Sequence, residues 1–500
     1  MGNMVLVVGA GPVGLTMAAE LARYGVPVRI VDRAQQRTDQ SRALMVWSRT
    51  LELLDRSGCG GAFVSAGMKV KVANIVADGK AIGRIDLGTV ATTHPYVLML
   101  PQSETERLLE EHLRSFGIGV ERGVDLVSFV ESQDGVESVL LHTDGLQEKV
   151  QSGWVIGCDG ARSTVRHGMK KVFRGDAQPS GWILADVRLQ GVDTPGEIDV
   201  GWHPEGVLVV MPIDGERYRV IADVGASQTD KGGSEPSLSQ VQAILDARGR
   251  GGITASDPIS MGRFHINERK VAEYRSGRVF LVGDSAHVHS PAGGQGMNTG
   301  MQDAFNLAWK LALVWRGMGA EEPLLGSYSR ERSAVADQVL RNTGRISSLA
   351  VLRGEMKQSV RNYISSLMFG LSMVRDALAE TFSEVSVEYP TSPLTRTGRH
   401  AYDNPAAGER APLRRGEPAV GAGDTPRFAV CADVSTPAAK HGAGVLLGLY
   451  GNLLEDEVRP PFHAGGLWLL RPDGYVALAT RNDGWDEIAA YLDRIAGRRS

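Results

Sequence analysis

Residues 4–32, Met4-Val-Leu-Val-Val8-Gly9-Ala10-Gly11-Pro12-Val13-Gly14-Leu15 and onward through Val26–Val31 to Asp32, carry the pattern that decides the fold. Met4 to Val8 is continuously apolar and reads as a buried strand. Gly9, Gly11 and Gly14 then open a helix in which Leu15, Ala18, Ala19 and Ala22 recur at helical spacing. Gly25 closes that helix, and Val26–Val31 reads as a second buried strand ending in Asp32. This is the β-α-β opening of a parallel sheet. With 61 glycines in 500 residues, about one chance Gly-x-Gly-x-x-Gly is expected, so the motif alone is weak. Its context strengthens it: a strand before, a helix after, and an acidic residue about 20 positions on. Small residues here let backbone N–H groups approach a pyrophosphate at the positive end of a helix, and Asp32 can accept from ribose hydroxyls. Gly9, Gly11, Pro12, Val13, Gly14, Asp32 and the adjoining Arg33 form the first candidate set.

Composition narrows the class. The chain has 54 Lys+Arg against 58 Asp+Glu, a formal charge of −4, with 42% hydrophobic and 22% charged residues. A globular chain with no electrostatic footprint for nucleic acid follows. The uncharged run Met4–Ala19 is broken by Gly9, Gly11, Pro12 and Gly14 and falls short of the roughly 18–20 apolar residues a membrane span needs. The start shows neither the basic region of a secretory signal nor a myristoylation pattern, so a cytoplasmic protein without membrane association is expected. Cys59, Cys158 and Cys431 lie far apart, offering no disulfide framework, Cys-x-x-Cys pair or metal site.

A second sheet is expected in the middle of the chain, from Ile183–Leu189, Val207–Met211 and Tyr218–Asp223, with Asp214-Gly215 turning between the last two. Arg278–Asp284 returns to a buried parallel strand. A Gly-rich loop, Pro291-Ala-Gly-Gly294-Gln-Gly296-Met297-Asn298, then leads into a long helix from about Asn298 to Trp315. Asp284, at a strand's carboxyl end, can bind a polyol hydroxyl, and free N–H groups near Gly296, Met297 and Asn298 make an anion-friendly helix start. Such a site suits a reduced flavin, whose anionic form the helix dipole would stabilise by a few tenths to about 2 kcal/mol. Pro390–Pro426 reads as an extended connector. Beyond it, Phe428–Ala432, Val445–Tyr450 and Leu467–Leu470 read as strands. Arg471-Pro472-Asp473-Gly474 turns into Tyr475–Ala479, and Ile488, Tyr491, Leu492 and Ile495 mark a final amphipathic helix.

Three motifs in order, Gly9–Gly14, Gly157-Cys-Asp159-Gly-Ala-Arg-Ser-Thr-Val-Arg166, and Gly283-Asp284-Ser-Ala-His287 with Pro291–Asn298, resemble those of the group A FAD-dependent aromatic hydroxylases, the para-hydroxybenzoate hydroxylase fold. With the segment Arg471-Pro-Asp-Gly-Tyr-Val-Ala477, the chain is similar to the polyketide and rifampicin-type monooxygenase branch. The resemblance implies an α/β plus α+β architecture. A Rossmann-like FAD-binding domain would occupy 1–175 and 276–390, the latter with helices, and a mixed or antiparallel substrate-binding sheet would be inserted at 176–275. A linker at 391–426 and a thioredoxin-like domain without Cys-x-x-Cys at 427–500 would follow.

Carried over by position, Arg42 resembles the family Arg near the pyrophosphate and Gln102 the Gln near the ribityl chain. Asp159 would contact FAD and the nicotinamide cofactor, and the Leu126 backbone would meet adenine. Pro291, Gly294 and Gly296 would wall the isoalloxazine. The implied chemistry is reduction of FAD by NAD(P)H, with NADPH favoured, and reaction with O₂ to a flavin C4a-hydroperoxide. That species then oxygenates a phenolic or polycyclic aromatic substrate of polyketide or antibiotic type. Baeyer–Villiger insertion, epoxidation and a non-catalytic flavin-binding partner protein stay open. No catalytic residue beyond the flavin-flanking loop is identified: His203, Tyr218, His265 and His287 qualify as bases by residue type only. Trp182, Trp202 and Met211 are candidates to line an aromatic pocket. A homodimer is compatible with these features.

Overall fold

The computed structural model describes residues 4–497 except 39–41, 78–79, 226–234, 291–292, 351–367, 370, 400–402 and 415; the side chains of 179 and 342–350 also lie outside the described set. The opening motif folds as read, with strand Val5–Val8, helix Pro12–Arg23 and strand Val28–Asp32. Val5–Val8 sits inside a six-stranded sheet ordered Arg275–Ser276, Val279–Leu281, Trp154–Gly157, Val5–Val8, Val28–Asp32, Glu121–Arg122. All its pairings are parallel except that of Arg275–Ser276. Continuous apolar strands belong here because helices cover such a sheet. Helix Pro12–Arg23 packs against the long helix Gly296–Trp315.

An eight-stranded sheet stands beside the first. Its order is His287–Val288, Thr254–Lys270, Arg174–Gln190, Arg217–Gly225, Gly206–Pro212, Ile198–His203, Val72–Ala77, Lys80–Asp86. It is antiparallel apart from the parallel pair Ile198–His203 with Val72–Ala77. The mixed sheet expected at 176–275 therefore also takes Val72–Asp86 from the first segment and His287–Val288 from the third. The physical reason is edge protection: without Val72–Ala77, strand Ile198–His203 would present a row of unpaired backbone groups.

The chain's last sheet is ordered Arg396–Thr397, Val476–Arg481, Gly466–Leu470, Ala429–Ala432, with helices Pro437–Tyr450 and Trp485–Ala496. Two expectations are corrected here. Val445–Tyr450 is not a strand but the end of helix Pro437–Tyr450, whose buried residues Ala439, Ala443, Leu446 and Tyr450 follow helical spacing. Pro437 at its first turn and the Thr436 hydroxyl, accepting from the Ala439 N–H at 3.2 Å, start it; the apolar run Val445-Leu446-Leu447 had hidden that period. The second correction concerns the connector, which is built into this sheet. Arg396–Thr397 pairs with Val476–Arg481, and Gly408 and Ala411 donate to the carbonyls of Val476 and Gly474 at 2.8 and 2.9 Å.

Two buried charge networks bind this last unit to the helices beside the central sheet. Glu331 accepts from both Arg471 amino groups at 2.8 and 3.0 Å and from Lys310 at 2.7 Å, and all three side chains are fully buried. Arg471 also holds Asp473 at 2.6 Å, which accepts from the Trp309 indole. In the second network Glu20 takes Arg23 at 2.7 Å, Arg56 at 3.2 Å and the Ser57 hydroxyl at 2.6 Å. The same two arginines reach across to the carbonyls of Gly421, Gly423 and Pro472. Burial pushes both carboxyls up, but the neighbouring cations outweigh it, holding Glu20 down at about 2 and Glu331 well below the carboxylate range. Among the described residues no helix is long and apolar enough to cross a membrane.

Glu331→Gln should cost about 3–5 kcal/mol in denaturant unfolding, because it leaves Arg471 and Lys310 buried without their counter-charge. The acid response has a definite sign. Folded-state values below the unfolded ones give stability that is complete above about pH 5 and lost as pH falls toward 2, through the folded value of Glu20. A pH series of unfolding midpoints should therefore decline on the acid side, and Glu331→Gln should flatten that decline.

Candidate active site

Three connected compartments lie where the two large sheets meet. The first, about 370 Å³, is bounded by the Gly9–Gly11 backbone, Asp32, Arg33, Gln102, Glu106, Arg122, Asp159 and Arg162. The second, about 420 Å³, is bounded by Gly11, Pro12, Val13, Arg42, Gln102, Arg219, Asp284, His289, Gly294, Gly296 and Met297. Gly11, Arg42, Gln102, Cys158 and Gly160 border both. The third, about 190 Å³, is apolar and meets the second at Met45, Met211, Ile221, Ser290 and Gly294. A wider cleft of about 970 Å³ opens beside the second, along Arg42, Asp284 and His289.

The three motif glycines have different physical roles. Gly9 has φ +100°, and a Cβ there would fall 2.4 Å from the Cys158 carbonyl oxygen. A Cβ on Gly14 would fall 1.8 Å from the Gly9 carbonyl oxygen, so both positions serve close packing of chain on chain. At Gly11 a Cβ would meet no protein atom, and this residue borders both polar compartments. The space a side chain would fill there is kept open to a ligand. Helix Pro12–Arg23 begins at Gly11 and helix Gly296–Trp315 at Gln295, neither with a side-chain cap. Each leaves N–H groups facing the compartments, a favourable setting for negative charge.

The acidic residues divide between holding the loop and waiting for a ligand. Asp32 accepts from the backbone N–H of Ala10 at 2.6 Å and of Ala34 at 2.8 Å, fixing the glycine loop with lone pairs to spare. Asp159 accepts from the Val165 N–H at 3.1 Å through one oxygen, while its other oxygen is buried without a partner. Burial raises its pKa. Asp284 is exposed to the second compartment, and desolvation by the protein around it raises its pKa against the opposing pull of His287 and Arg42. Gln102 accepts from Ala43 N–H at 3.2 Å and donates to Glu106 at 2.9 Å. Arg33 borders the first compartment, and Arg42 borders both polar compartments and the wide cleft.

Several sequence candidates sit elsewhere. Leu126 is buried in the core while Val124 and Asp125 reach the first compartment. Asn298 is buried and its side chain is spent on the protein: it accepts from the Trp47 N–H at 2.8 Å and donates to the Met45 and Gly294 carbonyls at 2.9 and 3.1 Å. Pro291 lies outside the described residues. Of the bases considered, His287 is buried against Asp303 at 2.7 Å, Tyr218 belongs to the core of the second sheet, and His265 borders the wide cleft. His203 accepts from the Glu205 N–H at 3.2 Å and borders none of the compartments described. Trp182, Trp202 and Met211 do come together, in the apolar compartment.

Sequence reasoning missed Glu106, Arg122, Arg219 and Trp47, and gave no role to Arg162, which stands in the second motif, or to His289 beside the glycine loop. Arg219 carried a signal, the single cation within the strand Tyr218–Asp223; buried, it pairs with both Asp186 oxygens at 2.8 Å and holds the Arg42 carbonyl at 2.8 Å. Burial lowers His289 to about 4, keeping it neutral. Trp47 joins the apolar wall to the glycine loop: its indole donates to the Gly293 carbonyl at 2.9 Å and its ring stacks on Phe382 at 6.3 Å.

The FAD binding domain family model matches residues 3–343. The chain is 35% identical over 532 residues to the 6-methylpretetramide 4-monooxygenase of Streptomyces rimosus, covering 99% of this chain and 94% of that protein. Among solved structures it matches the OxyS anhydrotetracycline hydroxylase of Streptomyces rimosus (TM-score 0.79, 28% identical) and CabE, an aromatic hydroxylase from angucycline biosynthesis (TM-score 0.80, 29% identical). Both matches cover each chain in full. The chain belongs to this FAD-binding family and is an FAD-dependent aromatic monooxygenase.

The open space at Gly11, the unpartnered Asp159 oxygen and the two uncapped helix starts fit FAD. Gly11→Ala should fold with an unchanged melting temperature measured without FAD, because the added Cβ meets no protein atom within 4 Å. Its FAD affinity, read by flavin fluorescence titration, should fall at least about 100-fold, since the added group occupies the ligand's space. Gly14→Val should instead lose the fold.

Proposed function

We propose that this enzyme uses NAD(P)H and O₂ to hydroxylate a phenolic or polycyclic aromatic substrate of polyketide type. The observation that carries this reading is the series of compartments, two polar and one apolar, joined at Gly11 and at Gly294. Asp32, Asp159 and the N–H groups after Gly11 would hold the adenosine and pyrophosphate portions of FAD. Gln102, Asp284 and the start of helix Gly296–Trp315 would hold the ribityl chain and ring. Bound FAD supplies hydride acceptance and oxygen activation.

The chain's own part is placement and exclusion. The Trp47 hydrogen bond to Gly293 and the Asn298 bridge hold the glycine loop between the ring compartment and the apolar one. The apolar walls from Trp202, Met211 and Ile221 would keep water from the reacting atoms and place an aromatic ring beside that loop. NADPH is the favoured donor. Arg42, Arg162, Arg263 and Arg269 border the wide cleft, and a cluster of guanidinium groups suits the added phosphate. The C-terminal unit is proposed to be thioredoxin-like in descent and structural in use: it lacks Cys-x-x-Cys, and its Arg471 is committed to Glu331. A cytoplasmic location suits an enzyme that draws on NADPH, and a homodimer is compatible with this reading.

Purified enzyme should be yellow, and a phenolic panel should stimulate NADPH oxidation and yield products one oxygen atom heavier by mass spectrometry. Failure of every phenol to stimulate oxidation, with no oxygenated product, would remove the hydroxylase assignment. Trp47→Phe keeps the ring but loses the bond to Gly293. It should divert at least about half of NADPH oxidation to hydrogen peroxide while changing KM less than twofold, as expected when loop placement rather than binding is disturbed.

A further inference from the structure

Glu384 is unfavourably placed in two respects. Its φ is +60°, in the left-handed region that glycine occupies freely and larger residues avoid. Its carboxyl is buried, 3% exposed, and bonds to two neutral groups, the Thr299 hydroxyl at 3.0 Å and the Gln302 amide. The charged groups around it are committed elsewhere. Arg332 pairs with Asp303 and donates to the Tyr389 hydroxyl and the Thr299 carbonyl. Arg49 and Arg410, which donate to the Ser383 and Val385 carbonyls, both pair with Glu52. Burial pushes the Glu384 carboxyl up to about 8; Thr299, Arg332 and Gln302 pull against it, and the Asp303 charge adds to it. The Thr299 hydroxyl can accept as well as donate, so the neutral acid keeps its bonds.

What Glu384 holds is a wall of the apolar compartment. It follows helix Ser372–Phe382, in which only Ala379 is fully buried, so packing alone secures that helix weakly. The helix end is tied twice to the start of helix Gly296–Trp315. The Gln295 side chain donates to the Thr381 carbonyl at 3.0 Å, and Thr299 and Gln302 hold Glu384. Between these ties Phe382 borders the apolar compartment, stacks on Trp47 and lies 3.1 Å from where a Gly293 Cβ would stand. Glycine would take this backbone without strain, and glutamine would fill the same space without a titrating proton. We propose that Glu384 is a positioning residue: while protonated its side chain locks Phe382 over the apolar compartment, and its ionisation frees the end of helix Ser372–Phe382 and opens that wall. Only the consequence for aromatic ligands rests on the reading of this compartment as the substrate's place. The folded value lies above the ordinary carboxyl one, so the closed wall is favoured most in acid and loses that advantage as pH rises through about 8.

Hydrogen exchange read by mass spectrometry on the FAD-loaded enzyme follows the helix itself. Pairing the unaltered enzyme with Glu384→Gln at each pH cancels the intrinsic pH dependence of exchange. Amides of Ser372–Glu384 should exchange alike in the two proteins at pH 6, and at least about fivefold faster in the unaltered enzyme at pH 9. Equal rates at pH 9, or an equally large difference at pH 6, would overturn the proposal. If the variant loses its flavin, the unaltered enzyme decides alone. Exchange in Ser372–Glu384 relative to helix Pro12–Arg23 should then rise at least about fivefold from pH 6 to pH 9, and a constant ratio overturns the lock. Naphthalene, which has no titrating group, reports on the compartment. By equilibrium dialysis it should bind the unaltered enzyme at least about fivefold more weakly at pH 9 than at pH 6, and change less than about twofold in Glu384→Gln. Naphthalene that binds equally at both pH values would also overturn the proposal. Naphthalene that binds at neither, with the exchange difference present, would count against the substrate reading and leave the lock standing.

Discussion

The site depends on one close approach, that of helix Pro12–Arg23 to helix Gly296–Trp315. A Cβ on Gly300 would fall 2.7 Å from the Val13 side chain, and one on Gly283 2.9 Å from it. Glycine at both places lets Val13 sit between the strand that ends at Leu281 and the start of the long helix. Two helix starts that are far apart in sequence thereby face one space. Without that contact each would be an isolated end with a weak, screened dipole; together they border a single elongated cavity suited to a long anionic nucleotide.

The rear of the long helix is held just as firmly. Lys310 and Trp309, about three turns on from Asn298, reach Glu331 and Asp473, which also hold Arg471 of the last sheet. The C-terminal unit thus braces the helix whose first turn borders the ring compartment. Replacing such a network with apolar residues can leave stability unchanged, but removing one member strands charge in the core. This accounts for the C-terminal unit being packed so deeply against the flavin-binding domain.

The middle sheet contributes differently along one of its faces. Arg219 and Asp186 form a buried pair that holds the Arg42 backbone at the edge of the polar compartments. Farther along, Trp182, Trp202 and Ile221 make a wall with no charge. The boundary between them is the Gly293–Gly294 loop, held by Trp47 and Asn298. A polar cofactor and an apolar substrate can therefore share a wall only a few atoms thick.

How much of this was legible follows from how local each signal is. The strand-glycine-helix opening, Asp32 at the next strand's end and the glycines before the long helix are short-range patterns, because backbone conformation and helix starts are set by neighbours in sequence. The strand expected at Val445–Tyr450 failed because an unbroken apolar run has no visible period until its buried face is known. Asn298 could be placed at the helix start, but that its side chain turns toward the protein could not be read, since side-chain direction depends on what packs opposite. The sequence by itself determined the nucleotide fold and the glycines that line it. Only the tertiary structure decided that Val72–Ala77 completes the second sheet and that Trp47 and Arg219 belong to the site, because each depends on contacts between segments tens to hundreds of residues apart.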